Sequence, residues 1–188
     1  MSVISDNDRA FLLTLARHSI EKAVCGEELD ALDLAGLPEA LQQEGASFVT
    51  LTLDGDLRGC IGALEAYQPL ALDVREHALE AAFEDYRFPP VNSSEAPRLK
   101  IEISILSRPE RLDYSRPDEL PGKLRPGIDG VILRDGIRRA TFLPQVWEKI
   151  SSAEEFLGHL CQKMGAAYDF WKRKKMEVWT YQVEEFHE

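Results

Sequence analysis

The sequence predicts an α+β protein in which helices pack on a mainly antiparallel sheet. Asp-Gly turns at Gly55 and Gly136 each separate two runs of alternating apolar residues, which is the pattern of a β-hairpin. Apolar residues recur at helical spacing before and after the hairpins, and residues 99–106 alternate as a further strand. Strands joined by two-residue turns are antiparallel, so the sheet is expected to be antiparallel too.

The first half of the chain predicts a helix, a hairpin, a second helix and a strand. Ser5 and Asp8 form a capping box, and Gly26 is expected to end the first helix. An acidic connector with a short helix started by Pro38 leads to the hairpin, and Pro69 suits the first turn of the next helix. The predicted segments are helix 6–25, hairpin 47–62, helix 69–85 and strand 99–106.

The second half repeats this order after a proline- and glycine-rich stretch. A hairpin over residues 131–143 is followed by Pro144, which is expected to open a helix as Pro69 does, then by a helix over 153–164 and a closing strand near 178–183. The repetition predicts a single domain over residues 1–188, with two lobes that divide near 107–130 and arise by internal duplication. Coincidence is the alternative, because Asp-Gly hairpins and proline-started helices are common.

Composition limits the classes of function. The chain has 188 residues, 44% of them hydrophobic, and a net charge of −11, which is typical of a soluble globular protein and argues against a general binder of nucleic acid or anionic membranes. A local basic cleft remains compatible with this charge. Three scattered cysteines fit a reducing compartment, and the sequence shows neither a secretory signal nor an apolar run long enough to cross a bilayer. We expect a cytoplasmic protein.

The hexamer at residues 57–62, Leu-Arg-Gly-Cys-Ile-Gly, carries the most specific local chemistry. On a strand, Arg58 and Cys60 share one face, and a guanidinium beside a thiol favours the reactive thiolate. Gly59 and Gly62 allow a ligand or another backbone to approach closely. The alternative is that Cys60 simply packs in the core, as most free cysteines do.

Two further residues are candidates for the same site. Arg87, at the end of a predicted helix, could bind a carboxylate or phosphate in bidentate fashion, or it could hydrogen-bond the last carbonyls of that helix. Glu102, on the polar side of its strand, could pair with Arg58, accept a proton in catalysis, or form an ordinary cross-strand ion pair.

The remaining polar signals predict no cofactor or metal. The four histidines lack metal-ligand spacing, and neither a phosphate loop nor a dinucleotide fingerprint is present in the sequence. The basic run at residues 172–175 is read as a solvated turn, with docking of nucleic acid or a protein partner as the alternative.

Four motifs in order along the chain resemble the AMMECR domain family, whose bacterial and archaeal members are called AmmeMemoRadiSam system protein A. The motifs are Leu57-Arg58-Gly59-Cys60-Ile61-Gly62, Arg87-Phe88-Pro89-Pro90-Val91, Ile101-Glu102-Ile103-Ser104-Ile105-Leu106 and Thr141-Phe142-Leu143-Pro144-Gln145-Val146-Trp147. The resemblance implies a two-lobed α+β domain encoded near a Memo-like protein and a radical SAM protein. It brings no established activity.

Two functional hypotheses follow. In the favoured one, the protein is a ligand-binding accessory component of this three-part system, and Arg58, Gly59, Gly62 and Arg87 bind a small molecule. In the alternative, the protein is an enzyme that acts on a small anionic or nucleotide-derived substrate, with Cys60 as nucleophile or transfer thiol and Glu102 as the proton-handling group.

Overall fold

The first helix, α1 (Asp6–Val24), begins at the predicted capping box. Ser5 Oγ accepts a hydrogen bond from the Asp8 N–H at 3.2 Å, and the Asp8 carboxylate accepts one from the Ser5 N–H at 2.9 Å. Gly26 follows the helix in a left-handed conformation, with φ of 71°. These features belong to a computed structural model that describes residues 4–188. The prediction that the sequence has no secretory signal rests partly on residues 1–3, which lie outside the described residues.

The described chain divides into two units. The first runs to Leu106 and takes in Glu184–Glu188, and the second is Ser107–Val183. The helices after α1 are α2 (Glu39–Gln42), α3 (Leu70–Phe83), α4 (Ala153–Lys163) and α5 (Phe170–Arg173). The strands are β1 (Glu44–Leu53), β2 (Asp56–Gly62), β3 (Gln68–Pro69), β4 (Leu99–Leu106), β5 (Glu110–Arg111), β6 (Gly130–Asp135), β7 (Arg138–Phe142), β8 (Glu177–Tyr181) and β9 (Val183–His187).

The sheet of the first unit has the order β2-β1-β4-β9, with β3 paired to β1. Strand β1 is antiparallel to both β2 and β4. The hairpin turn places Asp54 and Gly55 at φ of 55° and 93°, the left-handed pair that a two-residue hairpin turn favours. The predicted α+β class, with antiparallel sheets and packed helices, is confirmed.

A β-bulge in the hairpin changes the predicted faces of the hexamer. Leu51 pairs with Gly59 and Thr52 pairs with Leu57, so Arg58 is the extra residue without a partner on β1. An inserted residue breaks the two-residue alternation of a strand. Simple alternation therefore does not place Arg58 and Cys60 on one face, and Arg58 instead bonds a segment beyond α3, described below.

Each unit has its own hydrophobic core. In the first unit, apolar side chains of β1 and β4 pack with those of α1 and α3, and the fully buried members include Leu12, Ile20, Val49, Leu51, Val74, Ala78, Ile101 and Ile103. In the second unit, the core is built around Leu133, Trp147, Phe156, Leu157 and Leu160. The rings of Trp147 and Phe156 stack with centroids 3.8 Å apart.

The sheet of the second unit has the order β5-β8-β6-β7. In both units the first strand of the hairpin lies between the second hairpin strand and a later strand, β4 or β8. The α-helices between hairpin and later strand differ, since α3 follows the first hairpin whereas α4 and α5, preceded by a short 3-10 helix, follow the second. The internal duplication therefore stays a prediction.

Two sequence predictions in the second half need correction. The segment that starts at Pro144 is a five-residue 3-10 helix rather than an α-helix, because Ser152 soon caps a new helix by accepting a hydrogen bond from the Glu155 N–H. The single closing strand is in fact two strands, β8 and β9, which belong to different sheets. They separate at Gln182, whose N–H and C=O both bond Ser107.

The helices offer no candidate for a membrane span. Across residues 4–188, none combines the length and the apolar character that crossing a bilayer requires.

Candidate functional site

Three polar side chains lie in register across the first sheet. Cys60 on β2 pairs with Thr50 on β1, and Thr50 pairs with Glu102 on β4. The neighbouring residues Leu51 and Ile101 are fully buried in the core with the helices. Because side chains alternate along a strand, Cys60, Thr50 and Glu102, which we call the Cys60 row, face away from α1 and α3. All three are half-buried.

The thiol of the Cys60 row has one hydrogen-bond partner in the described structure. Thr50 Oγ1 donates to Cys60 Sγ at 3.3 Å. This partner is a neutral hydroxyl, so it is unsuited to remove a proton from the thiol.

The two glycines of the hexamer are required by contacts within the chain. A Cβ built on Gly59 would lie 2.0 Å from the backbone carbonyl oxygen of Ala81 on α3. A Cβ on Gly62 would lie 2.3 Å from the Ser47 carbonyl oxygen and 2.4 Å from the Phe48 ring. Close approach therefore occurs at both positions, and the approaching groups are a helix backbone and a neighbouring strand. Ligand contact by these glycines stays a prediction.

Asp85, just beyond α3, joins the hexamer to the segment containing Arg87. The buried Asp85 carboxylate accepts a hydrogen bond from the Cys60 N–H at 2.9 Å. It also accepts hydrogen bonds from Arg87 Nε and Nη2, at 2.8 and 2.5 Å. Arg87 Nη2 also donates to the Cys60 C=O at 3.2 Å. The hydrogen bonds from Arg87, with that from Cys60, hold the pKa of Asp85 well below its usual range.

These hydrogen bonds satisfy backbone N–H and C=O groups on the free edge of strand β2. Strand β2 ends the sheet, so an unpaired N–H and C=O there would be open to another strand. Asp85 and Arg87 occupy both groups of Cys60. Arg87 was predicted either to bind an anion or to hydrogen-bond the last carbonyls of its helix. In the structure it binds the Asp85 carboxylate of the same chain, and 43% of its side chain is exposed.

Arg58 also has an internal partner. Its Nε and Nη2 donate to the two carboxylate oxygens of Glu95, each at 3.0 Å, and Glu95 also accepts from the Asn92 N–H. The bond from Arg58, followed by that from Asn92, lowers the pKa of Glu95. Arg58 is buried, and its Nη1 has no hydrogen-bond partner among the described residues. The suggested pairing of Arg58 with Glu102 is therefore wrong, because the bulge and the segment after α3 bring Glu95 to the guanidinium instead.

Glu102 interacts with a second carboxyl group, that of Glu185 on β9. Burial, together with the negative charge of Glu185, raises the pKa of Glu102, and His187 opposes the shift. A carboxyl group with a raised pKa can share its proton with a neighbouring carboxylate. Glu102 is therefore suited to donate or accept a hydrogen bond at its end of the Cys60 row.

The structure brings together some of the predicted site residues and separates others. Cys60 and Arg87 meet through the peptide of Cys60, and Glu102 lies two strands from Cys60. The sequence interpretation missed Asp85 and Glu95, although acidic residues close to Arg87 and the Pro-Pro turn were a usable signal. Within residues 4–188, His, Cys, Asp and Glu side chains form no cluster of three arranged to hold a metal ion.

The basic run at residues 172–175 is engaged within the second unit. Arg173 pairs with Asp169 and Lys174 pairs with Asp135. Lys175 lies over the Tyr114 ring at 5.3 Å from its centroid. The run is exposed as expected, but the predicted turn needs correction, because residues 172–173 form the end of α5 and only residues 174–175 follow it.

Comparison with known proteins shows the family of this chain. The AMMECR1 family model matches residues 13–186. A protein from Methanothermobacter thermautotrophicus is 37% identical over 190 residues, covering 98% of this chain and 96% of its own length. A protein from Thermofilum pendens is 34% identical over 204 residues, covering 100% of this chain and 93% of its own length.

A solved structure agrees with the fold. The crystal structure of an uncharacterized protein, PH0010, from Pyrococcus horikoshii superposes with a TM-score of 0.83 at 35% identity, covering 98% of this chain and 93% of that one. The family match spans both units and all four motifs on which the resemblance rests. The chain belongs to the AMMECR1 family.

Proposed function

We propose that this protein is a ligand-binding accessory component that works with a Memo-like protein and a radical SAM protein. The observation that carries the ligand-binding part is the Cys60 row. A thiol, a hydroxyl and a carboxyl group lie in register, half-buried, on the sheet face away from α1 and α3. Such a row offers a small molecule several hydrogen-bonding groups on a rigid strand framework.

The charged groups around Cys60 favour this role over covalent catalysis. Arg58 binds Glu95, and Arg87 binds Asp85, so the positive charge of each is largely balanced by a carboxylate. A nucleophilic thiol needs a base or a nearby uncompensated cation to form thiolate. The neutral Thr50 hydroxyl is the hydrogen-bond partner of the sulfur.

One observation favours the alternative, an enzyme with Cys60 as nucleophile or transfer thiol. Arg87 Nη2 donates to the Cys60 C=O at 3.2 Å, and 43% of the Arg87 side chain is exposed beside that peptide. The exposed part of Arg87 could then attract a small anionic or nucleotide-derived substrate.

Relative thiol reactivity separates the two functions. We expect iodoacetamide to modify Cys60 more slowly than Cys25 at pH 7, because Cys60 is half-buried and Cys25 is exposed. Peptide mass spectrometry of the labelled chain gives both rates in one sample, and the buried Cys161 reports whether the chain stays folded. Modification of Cys60 about tenfold or more faster than Cys25 would instead support an activated nucleophile.

The partnership is tested by co-expression with the Memo-like and radical SAM proteins from the same genome. We expect a tagged form of this chain to retain at least one of them, or to change the rate at which the radical SAM protein cleaves its cofactor. The double variant Thr50→Val, Glu102→Gln is expected to lose ligand binding while remaining folded, since both side chains are partly solvent-accessible. If the tagged chain retains neither protein, and the radical SAM protein cleaves its cofactor at the same rate with and without this chain, the accessory role is wrong.

A further inference from the structure

A buried polar cluster lies between α3 and β1, on the opposite side of the sheet from the Cys60 row. It consists of Ser47, Asp73 and His77, and we call it the His77 cluster. Ser47 and Asp73 are fully buried, and His77 is 3% exposed. Asp73 Oδ2 lies 2.6 Å from Ser47 Oγ and 3.2 Å from His77 Nδ1. In the sequence, His77 was noted only as one of four histidines without metal-ligand spacing.

The geometry differs from that of a nucleophilic triad. In a triad the serine and the carboxylate contact different nitrogens of the histidine ring. Here Ser47 Oγ and Asp73 Oδ2 both lie near Nδ1, at 3.4 and 3.2 Å. The cluster is also buried between α3 and β1. It therefore links these two elements and does not expose the Ser47 hydroxyl to a substrate.

One arrangement of protons accounts for the hydrogen-bond distances in this cluster. Ser47 Oγ donates to Asp73 Oδ2, and His77 Nδ1 carries a hydrogen that it donates to the same oxygen. A second proton on the ring therefore binds at Nε2 and makes His77 cationic. Asp73 Oδ1 is buried and has no hydrogen-bond partner among the described residues. The buried carboxylate is thus best compensated when His77 is charged.

The charges around His77 favour that cationic form. Asp73, Glu80 and Glu76 act on the ring from α3, β1 contributes the uncharged Ser47, and Tyr67, ahead of β3, donates to Glu76 at 3.0 Å. Burial alone lowers the pKa of His77, but the hydrogen bond and charge of Asp73, with the charges of the two glutamates, outweigh it and raise the pKa. A raised pKa in the folded state stabilises the fold below about pH 6.5, and this stabilisation is lost as pH rises through the folded value.

Helix α3 connects this cluster to the hexamer. One turn beyond His77, the Ala81 carbonyl packs against Gly59 so closely that a Cβ there would lie 2.0 Å from its oxygen. Just after the helix, Asp85 accepts the hydrogen bond from the Cys60 N–H. Whatever holds α3 against β1 therefore also holds the segment that carries Cys60.

We propose that the His77 cluster is a proton-controlled latch that fastens α3 to β1, and that its release at rising pH loosens the Cys60 segment. The His77 cluster thus controls how mobile the segment that carries Cys60 is, whether Cys60 binds a ligand or acts as a nucleophile. It therefore stands independently of the accessory role.

Amide hydrogen exchange of the full chain between pH 6 and pH 8 tests the latch. After correction for the intrinsic exchange rate, protection of the α3 amides and of the Cys60 amide is expected to fall together, roughly several-fold, in the wild-type protein. His77→Gln is expected to show low protection at both pH values. His18→Gln, which alters an exposed histidine paired with Asp30, is the matched control and should follow the wild-type protein.

Three results would overturn the proposal: wild-type protection that does not change with pH, a wild-type pH dependence retained in His77→Gln, or loosening of α3 without loosening at Cys60. Should His77→Gln fail to fold, NMR titration of the His77 ring in the wild-type protein decides the question. A titration midpoint above about 6.5 supports the latch, and a midpoint at or below that value overturns it.

Discussion

Replacing Gly59 with alanine is expected to lower the free energy of unfolding by about 3 kcal/mol or more. The new Cβ would lie 2.0 Å from the carbonyl oxygen of Ala81, far inside contact distance. The obstructing atom belongs to a helix backbone, so relief requires β2 and α3 to move apart. Urea unfolding followed by circular dichroism measures the loss.

The control for this prediction is Gly122→Ala. An alanine Cβ at Gly122 has no heavy atom within 4 Å, so stability should change by no more than about 0.5 kcal/mol. Adding Ala81→Gly to Gly59→Ala should not restore stability, because that change removes a side chain and leaves the carbonyl in place. A Gly59→Ala protein as stable as the Gly122→Ala protein would show that Gly59 does not pack against α3 in this way.

Replacing Asp85 with asparagine is expected to cost about 2 to 3 kcal/mol at pH 7. The substitution removes the charge that balances Arg87, and it replaces one carboxylate oxygen with an NH2 group, which donates and cannot accept the hydrogen bonds that this oxygen receives. The cost stays below that of a fully buried broken ion pair because 43% of the Arg87 side chain is exposed and can be hydrated. Denaturant unfolding at pH 7 measures the difference.

The same variant predicts a change in acid sensitivity. The pKa of Asp85 is lower in the folded state, mainly because of Arg87, so its stabilisation is present above about pH 5 and is lost as pH falls through about 4 and below. The stability difference between wild type and Asp85→Asn should therefore shrink steadily from pH 5 to pH 2.

Asp118→Asn provides the control for Asp85→Asn. Asp118 forms an ion pair in which both side chains are 70% exposed, and such pairs contribute little to stability. We expect no measurable loss at pH 7 and an acid profile like that of the wild-type protein. A stability difference for Asp85→Asn that stays constant as pH falls would contradict the role of the Asp85 charge.

Local signals explain why much of the fold could be predicted. The capping box at Ser5 and the left-handed turn at Asp54 and Gly55 depend on residues within a few positions of each other, and the structure contains both. The errors arose where local signals compete. Pro144 is compatible with α and 3-10 turns alike, and the end of the chain carried one imperfect alternation that covers strands of two different sheets.

The candidate site was predicted less completely. The hexamer and Arg87 were identified from their residue types, and the structure joins them at the Cys60 peptide. Their carboxylate partners were not, because Asp85 and Glu95 lie 25 and 37 positions from the residues of the hexamer that they bond. Spacing within the hexamer does not indicate which of the 33 acidic residues it bonds, although the closeness of Asp85 to Arg87 was a local signal for that pair.

The sequence by itself determined most of the helices and strands, the α+β class, the family and the position of the hexamer on the return strand of a hairpin. Each of these follows from short-range periodicity, turn chemistry or motif order. Only the tertiary structure decided that the glycines fit a helix backbone and a neighbouring strand, that Arg58 and Arg87 bond carboxylates of this chain, and that His77 lies buried beside Asp73 and Ser47. The physical reason is that burial and charge pairing depend on which distant segments meet, and a single bulged residue can redirect a side chain that simple alternation assigns elsewhere.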